Sequence, residues 1–123
     1  MPVRVVDASA LGALVFAEPK AEKIARELEG SSLVAPALLW FEVASICLKK
    51  MTAHPSLRAE ILTAFSLARQ LPIQMVDVDH GAVVELARET GLTTYDTSYL
   101  WTVQQVGGKL VTLDDKLQKA VAR

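Results

Sequence analysis

Residues 3–9 read Val-Arg-Val-Val-Asp-Ala-Ser, a short β-branched run that ends in an acid and a hydroxyl residue. β-Branched residues favour strands, so this run predicts a first strand that places Asp7 at its carboxyl end. Further runs of this kind lie at residues 33–35, 73–76 and 110–113. Between the runs, apolar residues recur at helical spacing. Strands separated by helices predict an α/β fold with a parallel sheet covered on both faces.

Prolines and glycines mark the expected helix ends. Helices are predicted to begin near Pro19 and Pro36, because proline lacks the N–H group that the first turn of a helix leaves unused. They are predicted to end near Gly30, Gly91 and Gly107, because glycine accepts a left-handed backbone turn. These signals place the helices between the predicted strands.

The composition indicates one domain, residues 1–123, with 51% hydrophobic residues. An apolar excess in so small a chain predicts surface that a dimer or protein partner covers. The formal net charge of −1 excludes a simple basic arm for phosphates. A single cysteine, Cys47, excludes a disulfide within the chain and favours a cytoplasmic location. No charge-free stretch is long enough to cross a membrane.

Four acids are predicted to meet at one edge of the sheet. Asp7 ends the first predicted strand and Asp114 ends the last, and open parallel sheets bind ligands beyond the carboxyl ends of their strands. Asp96 opens a predicted helix. Glu42 lies about one turn into the helix after the second strand, within an apolar segment. A carboxylate buried there is costly without a cation or hydrogen-bond donors.

This acidic constellation predicts a metal site. Four carboxylates in one cleft repel one another unless cations are present. Ligand sets made only of oxygen suit Mg²⁺ or Mn²⁺. Such ions lower the pKa of a bound water and stabilise both oxygens of an in-line displacement at phosphorus. The chemistry requires no histidine, which agrees with the predicted loop or helix-start positions of His54 and His80. The expected reaction is cleavage of a nucleic-acid phosphodiester.

Single residues also have simpler interpretations. An aspartate before a helix is usually an N-cap, and taken singly Asp7, Asp96 and Asp114 each fit that role. A cap or first-turn role alone is expected for Asp79 and Asp115. Ser9 and Thr112 flank two of the acids, so they either orient a carboxylate or serve as cap and strand residues. The candidates for phosphate contacts, for which a solvated helix face is the favoured interpretation, are Lys49, Lys50, Arg58 and Arg69. The aromatic residues that either stack on bases or, as their spacing favours, make core or dimer contacts are Trp40, Trp101, Tyr95 and Tyr99.

Four segments resemble the motifs of the PIN-domain ribonucleases, and within them the VapC-like toxins of prokaryotic toxin–antitoxin pairs. The segments are residues 5–9, 39–44, 92–100 and 110–117, in family order and at family-like spacing. The resemblance covers nearly the whole chain. It places the family's acids at Asp7, Glu42, Asp96 and Asp114.

The resemblance implies a single PIN-like domain over residues 1–123, with three α/β/α layers and a central parallel sheet of four to five strands. It implies an endoribonuclease that uses Mg²⁺ or Mn²⁺, forms a homodimer and is inhibited by a VapB-like antitoxin. In such pairs the complex binds promoter DNA, and the antitoxin supplies the DNA contacts.

Other protein classes fit less well. A phosphorelay receiver domain needs a second acid beside Asp7, and a haloacid-dehalogenase-like phosphatase needs an Asp-x-Asp motif where this chain has Asp7-Ala8-Ser9. A catalytically inactive PIN-like module that only binds partners is disfavoured because all four acids are present. A metal-dependent DNA nuclease stays open as an alternative, because metal chemistry does not select the sugar.

Overall fold

The structure is a computed structural model that describes residues 1–122. Four parallel strands form a sheet in the order β3-β2-β1-β4. The strands are β1 Val3–Val6, β2 Ser32–Pro36, β3 Ile73–Val76 and β4 Lys109–Val111. The helices are α1 Ala8–Val15, α2 Ala21–Leu28, α3 Leu38–Ala53, α4 Arg58–Ala68, α5 His80–Thr90, α6 Thr94–Val106 and α7 Asp115–Val121. A short 3₁₀ turn, Pro55–Leu57, connects α3 to α4.

The sheet has a hydrophobic core on each face. Successive strand residues point to opposite faces, so neighbours in β1 enter different cores. Val6 packs in the core that contains Leu11 of α1 and Val43 of α3. Val5 packs in the other core, with Tyr99 of α6 and Leu117 of α7. The predicted α/β architecture, with a parallel sheet covered on both faces, is confirmed.

The strand order brings the first and last strands together. Val5 of β1 is in register with Leu110 of β4, and Val6 is in register with Val111. The backbone N–H of Asp7 continues the ladder, since it donates to the carbonyl of Val111 at 3.3 Å. Two chain segments about a hundred residues apart therefore end at the same edge of the sheet.

Two boundaries differ from the sequence predictions. Pro36 does not begin a helix: it is the last residue of β2, in register with Val76, and α3 begins at Leu38. The fixed φ of proline suits a strand end as well as a first helical turn. The last strand ends at Val111 rather than at residue 113. The chain leaves the ladder there because the N–H of Leu113 donates to the Ser9 hydroxyl at 2.9 Å.

The predicted helix ends are confirmed where glycine takes a left-handed conformation. Gly91 ends α5 with φ 75°, and Gly107 ends α6 with φ 66°. Within the described residues, no helix is both long and apolar enough to span a bilayer.

The approach of β4 to β1 depends on Gly108. A Cβ atom at this position would lie 2.9 Å from the carbonyl oxygen of Val3, which is too close for a real contact. We expect Gly108→Ala to destabilise the fold by about 1–3 kcal/mol, the usual cost of overpacking. Urea denaturation monitored by circular dichroism measures this change.

Gly81 provides the matched control. A Cβ atom there would lie an ordinary 3.5 Å from Asp79 Oδ1, and Gly81 lies within α5. Because alanine favours a helix over glycine by up to about 1 kcal/mol, Gly81→Ala is expected to be neutral or stabilising. Equal losses in both variants would show that the close approach at Gly108 does not constrain the sheet.

Candidate metal centre

The Asp7 carboxylate is buried where β1 meets α1. Asp7 is 5% exposed and caps α1, because its Oδ1 accepts the backbone N–H of Ala10 at 3.0 Å. The same oxygen accepts the Ser9 hydroxyl at 2.7 Å. Its Oδ2 accepts the hydroxyl of Thr112, which follows β4. Both carboxylate oxygens are thus held from two sides of the sheet edge.

Ser9 and Thr112 also fix the segment that carries Asp114. The Thr112 hydroxyl accepts the backbone N–H of Asp114 at 3.0 Å. The Ser9 hydroxyl accepts the N–H of Leu113 at 2.9 Å and lies 3.3 Å from the Thr112 hydroxyl. The two hydroxyls therefore connect the buried Asp7 carboxylate to the backbone just before Asp114.

Glu42 reaches the cluster from α3 and meets a tyrosine of α6. The Tyr99 hydroxyl donates to Glu42 Oε1 at 2.6 Å, and Tyr99 is only 1% exposed. The sequence interpretation placed Tyr99 in the core or a dimer contact and missed this hydrogen bond. One signal was present: Tyr99 lies three residues after Asp96, a spacing that puts both residues on neighbouring positions of one helix face.

Asp96 and Asp114 both lie at helix N-termini. Asp96 is in the first turn of α6, where its backbone N–H donates to the capping hydroxyl of Thr93 at 3.1 Å. Asp114 caps α7, where its Oδ1 accepts the N–H of Leu117 at 3.1 Å. The partial positive charge of a helix N-terminus stabilises each carboxylate.

Burial and mutual repulsion raise the pKa of three of these acids. Burial is the main cause of the raised pKa of Asp7; hydrogen bonds from Thr112, Ala10 and Ser9 oppose it, and the charge of Asp114 adds to it. Burial also raises the pKa of Glu42; the Tyr99 hydrogen bond opposes this, and the charges of Asp96 and Asp7 add to it.

Asp96 interacts electrostatically with other acids of the site. Burial raises its pKa, and so does the charge of Asp114, while Lys116 acts in the opposite direction. The repulsions run from Asp7 to Asp114, from Asp114 to Asp96, and from Glu42 to both Asp96 and Asp7. Each of the four predicted acids therefore lies near enough to at least one other for their charges to interact.

The donor chemistry of this cluster fits a hard divalent cation. In the described part of the chain, the ion pairs are Lys50–Glu18 and Arg88–Glu85, so no basic side chain there pairs with the four acids. Within residues 1–122, no group of three or more His, Cys, Asp or Glu side chains has the geometry of an assembled metal site. Carboxylate oxygens with unpaired, partly buried charge suit Mg²⁺ or Mn²⁺.

The remaining candidates lie in other settings. Asp79 caps α5, and Asp115 is the first residue of α7. Lys50 pairs with Glu18, and the Arg69 guanidinium lies 4.7 Å from the centre of the Trp40 ring. The candidates on exposed positions are Lys49, His54, Arg58, His80 and Tyr95, whereas Trp101 is half-buried and Cys47 is buried.

The raised pKa of Asp7 predicts a stability that falls as the pH rises. Between the ordinary value of 3.8 and the raised pKa of Asp7, the folded chain binds more of this proton than the unfolded chain, so the free energy of unfolding decreases as the pH rises through that range. Asp7→Asn removes this cost. We expect its melting temperature at pH 7 to exceed the wild-type value by a few degrees, since about 1 kcal/mol corresponds to ~3–6 °C in a domain of this size. The difference is expected to vanish near pH 4, as measured by scanning calorimetry.

Asp79→Asn is the matched control for this comparison. Asp79 is an exposed N-cap whose Oδ1 accepts the N–H of Ala82 at 3.1 Å, outside the acidic cluster. The same substitution there keeps a capping oxygen but relieves no repulsion within the cluster. A wild-type chain as stable as Asp7→Asn at pH 7 would contradict the electrostatic cost assigned to Asp7.

Comparison with known proteins agrees with this architecture. The family model described as the PIN domain matches residues 4–123. Among solved structures, that of PAE2754 from Pyrobaculum aerophilum is similar to this chain, with a TM-score of 0.75 and 26% sequence identity. The match covers 94% of this chain and 82% of that one. The search of curated proteins gave no significant match. The chain therefore belongs to the PIN-domain family, whose members are typically nucleases.

Proposed function

We propose that this chain is a metal-dependent endoribonuclease and the toxin of a VapBC-type toxin–antitoxin pair. What supports the proposal is the mutual repulsion of four acids in a PIN-domain chain, none of which forms a salt bridge among the described residues. The acids are Asp7, Glu42, Asp96 and Asp114. Together they would hold Mg²⁺ or Mn²⁺ through oxygen ligands.

Different residues of the chain would have different roles at this site. When bound, a divalent cation supplies positive charge to the oxygens of the phosphodiester undergoing hydrolysis. Ser9 and Thr112 hold the Asp7 oxygens in place, so little reorientation is required when a ligand binds. Tyr99 fixes one Glu42 oxygen and leaves the other free to act. The substrate that we propose is RNA, because the motifs of the chain resemble those of the VapC-like toxins.

The proposed partners are a second copy of the chain and a VapB-like antitoxin. Phe41 and Leu48 are 78% and 64% exposed, and they lie seven residues apart on α3, hence on one face. Apolar surface of this kind is typical of an interface. We propose that the homodimer or the antitoxin covers this face, that promoter DNA is bound only through the antitoxin, and that the chain acts in the cytoplasm.

Metal binding is expected to stabilise the fold. A cation at a concentration about 100 times its Kd adds roughly 2.7 kcal/mol to the free energy of unfolding. The melting temperature is therefore expected to rise with Mn²⁺ or Mg²⁺ at pH 7, and Asp96→Asn is expected to lose most of the rise. Differential scanning calorimetry after dialysis against chelator measures both effects.

Asp115→Asn is the control for the metal experiment. Asp115 is exposed beside Asp114 and occupies the first turn of α7, so its loss changes net charge by the same amount. It is expected to keep the full metal-dependent rise. An equal rise in Asp96→Asn would remove Asp96 from the site, and loss of the rise in Asp115→Asn would add Asp115 to it.

Catalysis is expected to require the buried acid. Purified wild-type chain, free of antitoxin, is expected to cleave RNA with Mn²⁺ and to stop with EDTA. Asp7→Asn is expected to lose about 100-fold or more of the rate, on the scale of removing one electrostatic catalytic group. Because Asp7→Asn is expected to fold at least as stably as the wild type, the loss is one of chemistry.

Gel assays on matched single-stranded RNA and DNA test the reaction and the substrate class together. Asp79→Asn serves again as the folded, active control. Cleavage that survives EDTA, or an Asp7→Asn enzyme as fast as the wild type, would refute the mechanism. Cleavage of DNA alone would preserve the metal site and overturn the choice of RNA.

A further inference from the structure

A pocket of about 360 Å³ opens beyond the ends of β2 and β3. The pocket is lined by Pro36 and Val76, which are the last residues of the two strands and lie in register with each other. Leu38 of α3 and Val83 of α5 also line it. These walls are mainly apolar. The polar residues of the lining are Asp77, His80, Thr94, Tyr95 and Ser98. Apolar walls with a small number of placed polar groups are typical of pockets that bind small organic groups.

The pocket adjoins the acidic cluster through two shared helices. Tyr95, which lines the pocket, immediately precedes Asp96 on α6. Leu38, which also lines it, is one helical turn before Glu42 on α3. A nucleic-acid strand with a phosphodiester at the acids would therefore pass close to the residues that line the pocket.

Tyr95 has a ring that is available for stacking. It is 61% exposed, whereas Tyr99, one turn further along α6, is 1% exposed and donates its hydroxyl to Glu42. Trp40, another aromatic candidate for stacking, already packs edge-to-face against Phe65, with the ring centres 6.3 Å apart. Exposed aromatic rings bind unpaired bases of single-stranded RNA by stacking.

The carboxylate in the pocket lining suits a base better than a phosphate. Asp77 lines the pocket and is exposed, and its carboxylate takes part in neither ion pair of the described residues. A carboxylate repels phosphate but accepts a hydrogen bond from an exocyclic amino group, as acids do with cytosine. Ser98 is already engaged, since its hydroxyl donates to the carbonyl of Tyr95 at 2.6 Å.

We propose that this pocket binds an unpaired nucleobase next to the phosphodiester that is cut. The base stacks on Tyr95 and directs an exocyclic amino group towards Asp77. The pocket therefore prefers cytosine, adenine or guanine over uracil, which has no such amino group. This inference rests on the proposed ribonuclease function and adds a residue-level basis for its sequence preference.

The test is a double-mutant cycle between the ring and the base. Fluorescence anisotropy with Ca²⁺ in place of Mg²⁺ or Mn²⁺ measures the binding of labelled single-stranded RNA with one abasic position moved along the strand. We expect one position to weaken wild-type binding about 10-fold, a value within the range for one lost stack. That loss is expected to disappear in Tyr95→Ala and to persist in Tyr95→Phe, because coupled groups are non-additive.

A second variant tests the amino-group preference. Replacing cytosine by uracil at the identified position is expected to weaken wild-type binding by about 5-fold or more, on the scale of one lost hydrogen bond to a charged group. Asp77→Asn is expected to bind both oligonucleotides alike, because an amide both donates and accepts. Equal binding of cytosine and uracil by the wild type would overturn the role of Asp77.

The remaining outcomes separate the pocket from the function. If the wild type binds and cuts RNA but no abasic position is coupled to Tyr95, the pocket proposal fails and the proposed function stands. If the wild type neither binds nor cuts any RNA, both fail. If sedimentation equilibrium shows that Tyr95→Ala converts a dimer to a monomer, a second copy of the chain covers the pocket and the base-binding proposal is overturned.

Discussion

One buried carboxylate, that of Asp7, constrains the arrangement around it. Placing this side chain at 5% exposure between the first and last strands raises its pKa and costs stability when it ionises. The fold offsets part of that cost with donors from Ala10, Ser9 and Thr112. The donors from Ala10 and Ser9 are local to the start of α1, but the Thr112 donor depends on β4 lying beside β1, which in turn requires the close approach at Gly108. The pairing of β1 with β4 therefore stabilises the sheet edge and also fixes the position of the Asp7 carboxylate.

Two other acids of the cluster, Glu42 and Asp96, carry a similar electrostatic cost when they ionise. Burial raises the pKa of both residues, and the charge of a neighbouring acid raises it further. The repulsion among these acids lowers the stability of the domain, since replacing an acid relieves it. Electrostatic cost concentrated at one edge of an otherwise apolar, two-sided core is typical of functional sites. Of the four acids proposed as metal ligands, three lie at the ends of strands or at helix N-termini and Glu42 lies about one turn into α3, all around the parallel sheet, which holds them in place.

Helix α3 connects the site to the surface. Glu42 faces the acidic cluster and hydrogen-bonds Tyr99, while the adjacent Phe41 is 78% exposed. A partner bound to the exposed face of α3 would therefore contact the helix that carries a proposed metal ligand. The base pocket shares α3 as well, through Leu38. Substrate, metal and partner would thus all act on one helix, which offers a physical route for an antitoxin to affect the site.

The sequence by itself determined the architecture and the candidates. β-Branched runs located the strands, glycines located helix ends at Gly91 and Gly107, and acids after strands or at helix starts supplied the four proposed ligands. These are local signals, set by propensity and spacing. Tertiary structure alone decided the strand order, the Thr112–Asp7 hydrogen bond between residues 105 apart, the Glu42–Tyr99 bond, and which tyrosine of α6 is buried. Tyr95 and Tyr99 are four residues apart and therefore lie on the same face of α6, so the sequence pattern does not distinguish them. The packing of the fold does: Tyr99 is buried in the core and donates to Glu42, whereas Tyr95, one turn earlier, is 61% exposed.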